Sequence, residues 1–406
     1  MNKKPSFIPH WFKYIDTEKH LKCDKDIFGK TFYKAFINKR MPKKVLNIAA
    51  FLDGVFYPTT TGQSYHIMTL LNAFASKGVC PFLFRCYRGW EESKVFEEFA
   101  FNTVCIKPTV FYDDLDKVVE LVRRYKIDSV IFDTAEVILY QGAYIKDASN
   151  IQLIYDVPNI DPVLSRLVGL KQETIDAQIK ELTLANKYVD VYWVKSDIDA
   201  EYLLNMGFEK RKVKVRGVGI DFSKFNFKER NFFHKPIRAV FVGNLYYPPN
   251  KAGLPVLKET KMKCLGRGID IGIDIVGDGD IDKLSKEFPE LNFLGGVANL
   301  SVTLSHYDLA FACPMYGSGV SLKVLDYMAS GLPVITNSVG VRGHSTQIND
   351  CVLLEDADSL YVCVEKIVRD LDLYRRLSRS GYQYVLNNFD IRKKIDCFVA
   401  DIKMRV

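Results

Sequence analysis

The feature that most constrains this chain is an alternation of short apolar runs with helical patterns that is played out twice. KVLNIAAFLD (44–53) is an apolar run of buried-strand type, and SYHIMTLLNAFASKG (64–78) follows it with Ile67, Leu70, Leu71 and Phe74 on one helical face, stopped by Gly78. PFLFRCY (81–87), NTVCIK (102–107), SVIFDT (129–134), IQLIYDV (151–157) and VDVYWVKS (189–196) read as further strands, with helices over 113–126, 164–187 and 197–206. FSKFNFKERNFFHKP (222–236) is polar and aromatic, ends in proline, and reads as a linker. The alternation then restarts with IRAVFVGN (237–244), a helix near 251–265, IDIGIDIVGDGD (269–280), LNFLGGV (291–297), YDLAFACP (307–314), a helix at 319–330 and LPVITNS (332–338). A last helical pattern, 372–400, carries a break at Asn387-Asn388. Strands alternating with helices imply parallel, doubly wound sheets. The expected fold is therefore α/β, with two Rossmann-like domains facing a central cleft. The expected boundaries are an extension over 1–44, domains over 45–230 and 231–385, and a terminal helix at 386–406 returning to the first domain.

Composition narrows the class. With 406 residues, 48% of them apolar and 26% charged, the chain has the balance of a globular protein with large cores. It has no apolar stretch long enough to span a bilayer, and the N-terminus lacks the apolar core of a secretory signal. Nine scattered cysteines with no C-x-x-C pair read as reduced, mostly buried thiols of a cytoplasmic protein. Charge is uneven: residues 1–44 hold twelve Lys/Arg and four Asp/Glu, a net +8 against +7 for the whole chain. That segment is also aromatic (Phe7, Trp11, Phe12, Tyr14, Phe28, Phe32, Tyr33, Phe36). It fits either peripheral contact with an anionic membrane or a partner, or an extension packed on the first domain. No basic stripe elsewhere points to nucleic acid.

In open α/β sheets, ligands sit beyond the carboxyl ends of the strands. Four loops lie there. The loop Gly54–Gln63 is too long for a dinucleotide fingerprint, but Gly62 at a helix start lets backbone N–H groups approach an anion or sugar. In VGNLYYPPNKAG (242–253), Gly243 ends a strand and Lys251 lies near a helix start, which suits a diphosphate. Asp278-Gly279-Asp280 matches an Asp-x-Asp metal pattern, yet Gly-Asp-Gly after an apolar strand reads more simply as a tight turn, and no metal is expected. In CPMYGSGVSLKVLDYMASGLPVI (313–335), a loop of Tyr316, Gly317, Ser318 and Gly319 opens onto a helix from about Val320. Free N–H groups of Val320, Ser321 and Leu322 and the Lys323 ammonium suit an anion, and Asp326 suits ribose hydroxyls.

The order FVGN…PPN (241–250), IVGDG (275–279), NFLGGV (292–297), YDLAFACP (307–314) and GSGVSLKVLDYMASGLPVI (317–335) resembles the donor half of glycosyltransferases with the two-domain B-type fold. Family 4, a retaining group, is the nearest likeness. VKSDIDAEYLLNMG (194–207) and VRGVGIDFSKF (215–225) are similar to its inter-domain stretch. The resemblance implies transfer of a sugar from a UDP- or GDP-linked donor to a glycan, glycolipid or glycoprotein hydroxyl, with no cofactor and no metal. It places Asp326 on the ribose and Ser318 where the family has a glutamate on the transferred sugar. Asn244 stands where an arginine contacts the diphosphate, Lys251 for the family's lysine, and Asp156 near a histidine position beside the reacting sugar. Implied donor contacts also include Gly243, Gly277, Asp278, Val297, Tyr316, Gly319 and Leu322. Gly62, His66 and Asp156 are acceptor-side candidates. Two alternatives stay open. One is a silent partner subunit that binds a nucleotide sugar or glycan, and the other is a nucleotide-sugar epimerase of the same fold.

Overall fold

The computed structural model describes residues 27–38, 46–52, 62–87 and 93–402. The first sheet holds β1 (Tyr33–Phe36), β2 (Asn47–Leu52), β3 (Cys80–Cys86), β4 (Asn102–Ile106), β5 (Ser129–Phe132), β6 (Gln152–Asp156), β7 (Val191–Val194) and β8 (Val213–Val215), in the order β1-β4-β3-β2-β5-β6-β7-β8. All neighbours pair in parallel except β1 with β4. The second sheet holds β9 (Ile237–Val242), β10 (Ile271–Val276), β11 (Asn292–Gly295), β12 (Leu309–Ala312), β13 (Val334–Thr336) and β14 (Val352–Leu354), parallel in the order β11-β10-β9-β12-β13-β14. In each sheet the first parallel strand lies inside and the order reverses beside it. That reversal leaves a crevice at the carboxyl ends of β2/β5 and of β9/β12.

Strands β2 to β7 are buried on both faces, which is why they read as unbroken apolar runs. Five helices bear on the site or the domain junction: α1 (Gly62–Ser76), α2 (Asp161–Leu167), α3 (Gln172–Ala185), α4 (Leu254–Leu265) and α5 (Leu322–Ala329). The single helix expected over 164–187 is instead α2 and α3, because Gly169 takes φ +74° and turns the chain back. Near the C-terminus, α6 (Leu371–Asn388) packs on α5, and α7 (Ile391–Asp401) crosses back to the first domain. There Ile391, Ile395 and Phe398 join the core of β2, α1 and Trp193, while Asp401 accepts from Trp193 Nε1 at 2.8 Å and pairs with Arg216 at 2.7 Å. The two chain crossings between domains lie side by side, with Ile220 N donating to Phe389 O at 2.7 Å and Ile391 N to Ile220 O at 3.0 Å.

The described part of the basic, aromatic segment is absorbed into the first domain. Phe28 and Phe36 are buried there, and Lys107, Lys117 and Arg124 stack over Phe28, Phe32 and Tyr33. These four aromatics are therefore taken up by packing, not presented to a membrane. Phe7, Trp11, Phe12 and Tyr14 lie outside the described residues, as does most of the loop before Gly62.

Candidate functional site

The N-termini of α1 and α5 meet across the crevice. A Cβ on Gly62, the first residue of α1, would stand 2.9 Å from Leu322 Cδ1. Helix α5 starts at Leu322, two residues later than expected, so Val320 and Ser321 precede it. Ser321 is its N-cap but makes no side-chain cap bond. The N–H groups of the first turn have no intrahelical acceptor and carry the positive end of the helix dipole. Gly319 before them takes φ +74°, and a Cβ there would sit 2.9 Å from both Pro158 O and Asn159 Oδ1 of the first domain. Only glycine lets this loop close on the partner domain. Ser318 Oγ lies 3.4 Å from Asn159 Oδ1.

Lys323, in the first turn of α5, turns its ammonium toward the end of β9. It donates to Asn250 Oδ1 at 2.7 Å, lies 4.2 Å from the Phe241 ring centre, and approaches a Gly243 Cβ position to 3.0 Å. Among the described residues no carboxylate pairs with it. Burial pushes its pKa down from 10.5 to about 8. A half-buried cation, an uncapped helix start and a glycine at the strand end together form a socket for a dense anion.

Asp326 lies one turn further along α5 and is 8% exposed, with Oδ1 unpartnered. Burial pushes its carboxyl up to about 7. Tyr65 of α1 faces it; burial first, and then the Asp326 charge, raise that phenol against a smaller lowering by the nearby Thr69 hydroxyl, and its own hydroxyl makes no hydrogen bond of normal geometry among the described residues. These two orphaned groups are available to accept and donate hydrogen bonds to a diol.

The expectation for Asp156 needs correction. Its carboxylate is fully buried at the end of β6, ion-paired with Lys195 and 3.2 Å from His66 Nε2. Burial alone would raise its pKa, but Lys195 and then His66 outweigh that and hold it well below the usual range. His66 is lowered by burial first and by Lys195 second. Neither Asp156 nor His66 is placed to touch a sugar. With Lys195 they form a neutralising triad beneath the crevice.

Lys251 also differs from expectation. It is exposed at the end of a one-turn segment, Pro248–Lys251, and α4 begins only at Leu254. Its neighbour Asn250 is the residue that turns inward, bonding Lys323 and, through Nδ2, Asn244 O at 2.9 Å. Asn244 Oδ1 caps its own turn by accepting from Tyr246 N at 2.9 Å. Gly277 takes φ +142°, and a Cβ there would collide with Gly243 O at 2.1 Å, so these two strand-end loops touch backbone to backbone. Asp278 is half-buried with Oδ1 against Gly296, whereas Asp280 is exposed and caps the next helix. Among the described residues no three His, Cys, Asp or Glu side chains gather as a metal site. Val297 is half-buried against the core under α5, and Tyr316 lies beside Tyr247.

Sequence reading missed Asn159, Asn250, Tyr65 and Lys195, and also a group of acids on the first-domain side. Burial raises Asp133 to about 7, Asp161 to about 6 and Glu181 to about 7, with neighbouring acids adding to the first and third. Lys195 had a signal, a lysine directly after the apolar run VYWV. The acids had none, because their meeting depends on the α2–α3 reversal.

Residues 236–370 match the family described as glycosyl transferases group 1. An uncharacterized 44.6 kDa protein in the cps region of Klebsiella pneumoniae is 25% identical over 181 residues, 41% of this chain and 46% of that protein. The match thus spans about half the length of that relative. Among solved structures, a sucrose-phosphate synthase from Thermosynechococcus elongatus aligns with TM-score 0.70 at 17% identity, covering 87% of this chain and 98% of that one. Anabaena HepE in complex with UDP and glucose aligns with TM-score 0.69 at 13% identity, covering 87% and 98%. S. aureus TarM aligns with TM-score 0.57 at 13% identity, covering 71% and 58%. No helix among the described residues is long and apolar enough to cross a membrane. The chain therefore has the two-domain B-type glycosyltransferase fold, and its second domain matches the group 1 glycosyltransferases.

Proposed function

We propose that this protein transfers a sugar from a UDP- or GDP-linked donor to an acceptor hydroxyl, with retention of configuration and without a metal. The observation that carries the reading is the Lys323 ammonium, set at the start of α5 with no carboxylate among the described residues to neutralise it. A nucleoside diphosphate leaving group supplies the missing charge. As the sugar–phosphate bond breaks, its electron pair moves to the departing diphosphate, and Lys323 and the first-turn N–H groups receive the developing charge. Fixed donors of this kind are each worth about 2.7–4 kcal/mol at a transition state. Asp326 and Tyr65 take the ribose hydroxyls, and Ser318, held at Asn159, borders the transferred sugar. The triad of Asp156, His66 and Lys195 positions the crevice floor. The complex of HepE with UDP and glucose supports such a donor site, and the match to the group 1 glycosyl transferases supports work in glycan or glycoconjugate synthesis.

A second reading, a silent subunit that binds a nucleotide sugar, draws on Ser318, which offers no carboxylate at that point. Diphosphate release from UDP- and GDP-sugars, with and without EDTA, separates the readings. Release that survives EDTA is expected, whereas tight binding with no release across a broad acceptor panel favours the silent subunit. A diphosphate at 100 times its dissociation constant stabilises the fold by about 2.7 kcal/mol.

A further inference from the structure

On the first-domain side of the crevice, a cavity of ≈ 150 Å³ lies between the end of β6, α2 and α3. That is room for about five water-sized groups. Thr134, Glu136, Asn159, Asp161, Gln178 and Glu181 line it. Glu181 is only 7% exposed, yet neither it nor Asp161 has an ion pair or hydrogen-bond partner among the described residues. Gln178 Oε1, buried in the same wall, is also unpartnered. A carboxylate out of water without a cation is costly, and two facing one another are more so. Besides burial, the charges that act on Asp133 and Glu181 are those of other acids, and the cavity lining holds no lysine, arginine or histidine among the described residues. A divalent ion does not resolve this, since no three ligating side chains gather here. With a neutral polyol in the cavity the pair is relieved only by taking up protons, as its raised pKa values allow. A monovalent, hydrogen-bond-donating cation relieves it with both carboxylates still ionised.

The cavity's place in the crevice gives that cation a role. Asn159 lines it and also meets Ser318 of the donor loop at 3.4 Å. Tyr247 of the second domain feels the Asp161 charge from across the gap. We propose that this cavity binds a primary ammonium group of the accepting molecule, held by Glu181 and Asp161, so that the acceptor is an amine-bearing sugar or alcohol. Its part in the reaction rests on the glycosyltransferase reading; its binding does not.

The test is titration of the full chain with glucosamine, N-acetylglucosamine and glucose by saturation-transfer NMR and calorimetry, with UDP titrated separately. Glucosamine should bind at least about tenfold more tightly than N-acetylglucosamine, the scale of one charge-assisted hydrogen bond. Glu181→Gln and Asp161→Asn should each lose about tenfold, with folding checked by circular dichroism, so that one misfolded variant leaves the other as the test. Equal binding of the three sugars, no binding of glucosamine, unchanged affinity in both variants, or binding that requires Mg²⁺ and is lost in EDTA overturns the proposal. UDP binding without glucosamine binding removes the amine site alone. Glucosamine binding without UDP binding removes the donor site alone.

Discussion

Lys323→Met should move stability and ligand affinity in opposite directions. The wild-type ammonium sits against Gly243, Asn250 and the Phe241 ring with no carboxylate partner among the described residues, and its pKa falls from 10.5 to about 8. That depression corresponds to about 3 kcal/mol of native-state destabilisation at neutral pH. The variant loses the Asn250 hydrogen bond and the ring contact, together about 1–2 kcal/mol. The unliganded variant should therefore be more stable by on the order of 1 kcal/mol, read in urea or thermal unfolding of the second domain. The sign fixes a pH window: the penalty is full below pH 8 and gone above about 10.5, so the variant's lead should shrink and then reverse as pH rises through that range. Affinity for UDP or GDP should fall, since a charged hydrogen bond to phosphate is worth about 1.5–3 kcal/mol, or roughly 10–150-fold. Calorimetry with both diphosphates reads this directly. A variant that is less stable when unliganded yet binds both diphosphates as wild type does would refute the reasoning, because Lys323 would then be a structural residue.

Three further outcomes follow from the same geometry. Asp326→Asn should weaken UDP binding about tenfold while leaving inorganic pyrophosphate affinity unchanged, and it should remove a stability loss that wild type suffers as pH rises from about 4 to 7; equal losses for both ligands would move Asp326 off the ribose. Asp156→Asn strands Lys195 and His66 beneath the crevice and should cost about 3–5 kcal/mol in chemical unfolding. Since Asp156 is held below its usual range, its contribution is complete above pH 4 and disappears only in strong acid. Gly277→Ala places a Cβ 2.1 Å from Gly243 O at φ +142°, so it should lower the second domain's melting temperature and diphosphate affinity together, where an open loop would tolerate it.

The architecture was legible because β2–β7 are buried on both faces and so had to be apolar runs, and because glycine marked the strand ends. Helix α5 was legible for the same reason: a glycine loop before an amphipathic pattern marks a helix start. What escaped depended on side-chain direction. In the fully buried strand β6 no alternation shows which way Asp156 points, and its partners His66 and Lys195 come from elements distant in sequence. Lys251 and Asn250 are adjacent, but one residue on a helical turn rotates the side chain by about 100°, so an error of one position exchanges the inward residue for an exposed one. Glu181 fell on the continuous helix expected over 164–187, while Asp161 lay before its start. They share a cavity only because Gly169 reverses the chain between α2 and α3. The strand β1 was hidden inside a segment whose charge read as a solvated or membrane-facing extension.

The most direct measurement is a crystal structure of the protein soaked with UDP or GDP. The account predicts the β-phosphate within hydrogen-bond distance of Lys323 Nζ and the first-turn N–H groups of α5, with the ribose hydroxyls on Asp326. A diphosphate bound elsewhere on the chain, or a crevice left empty at saturating nucleotide, would contradict it.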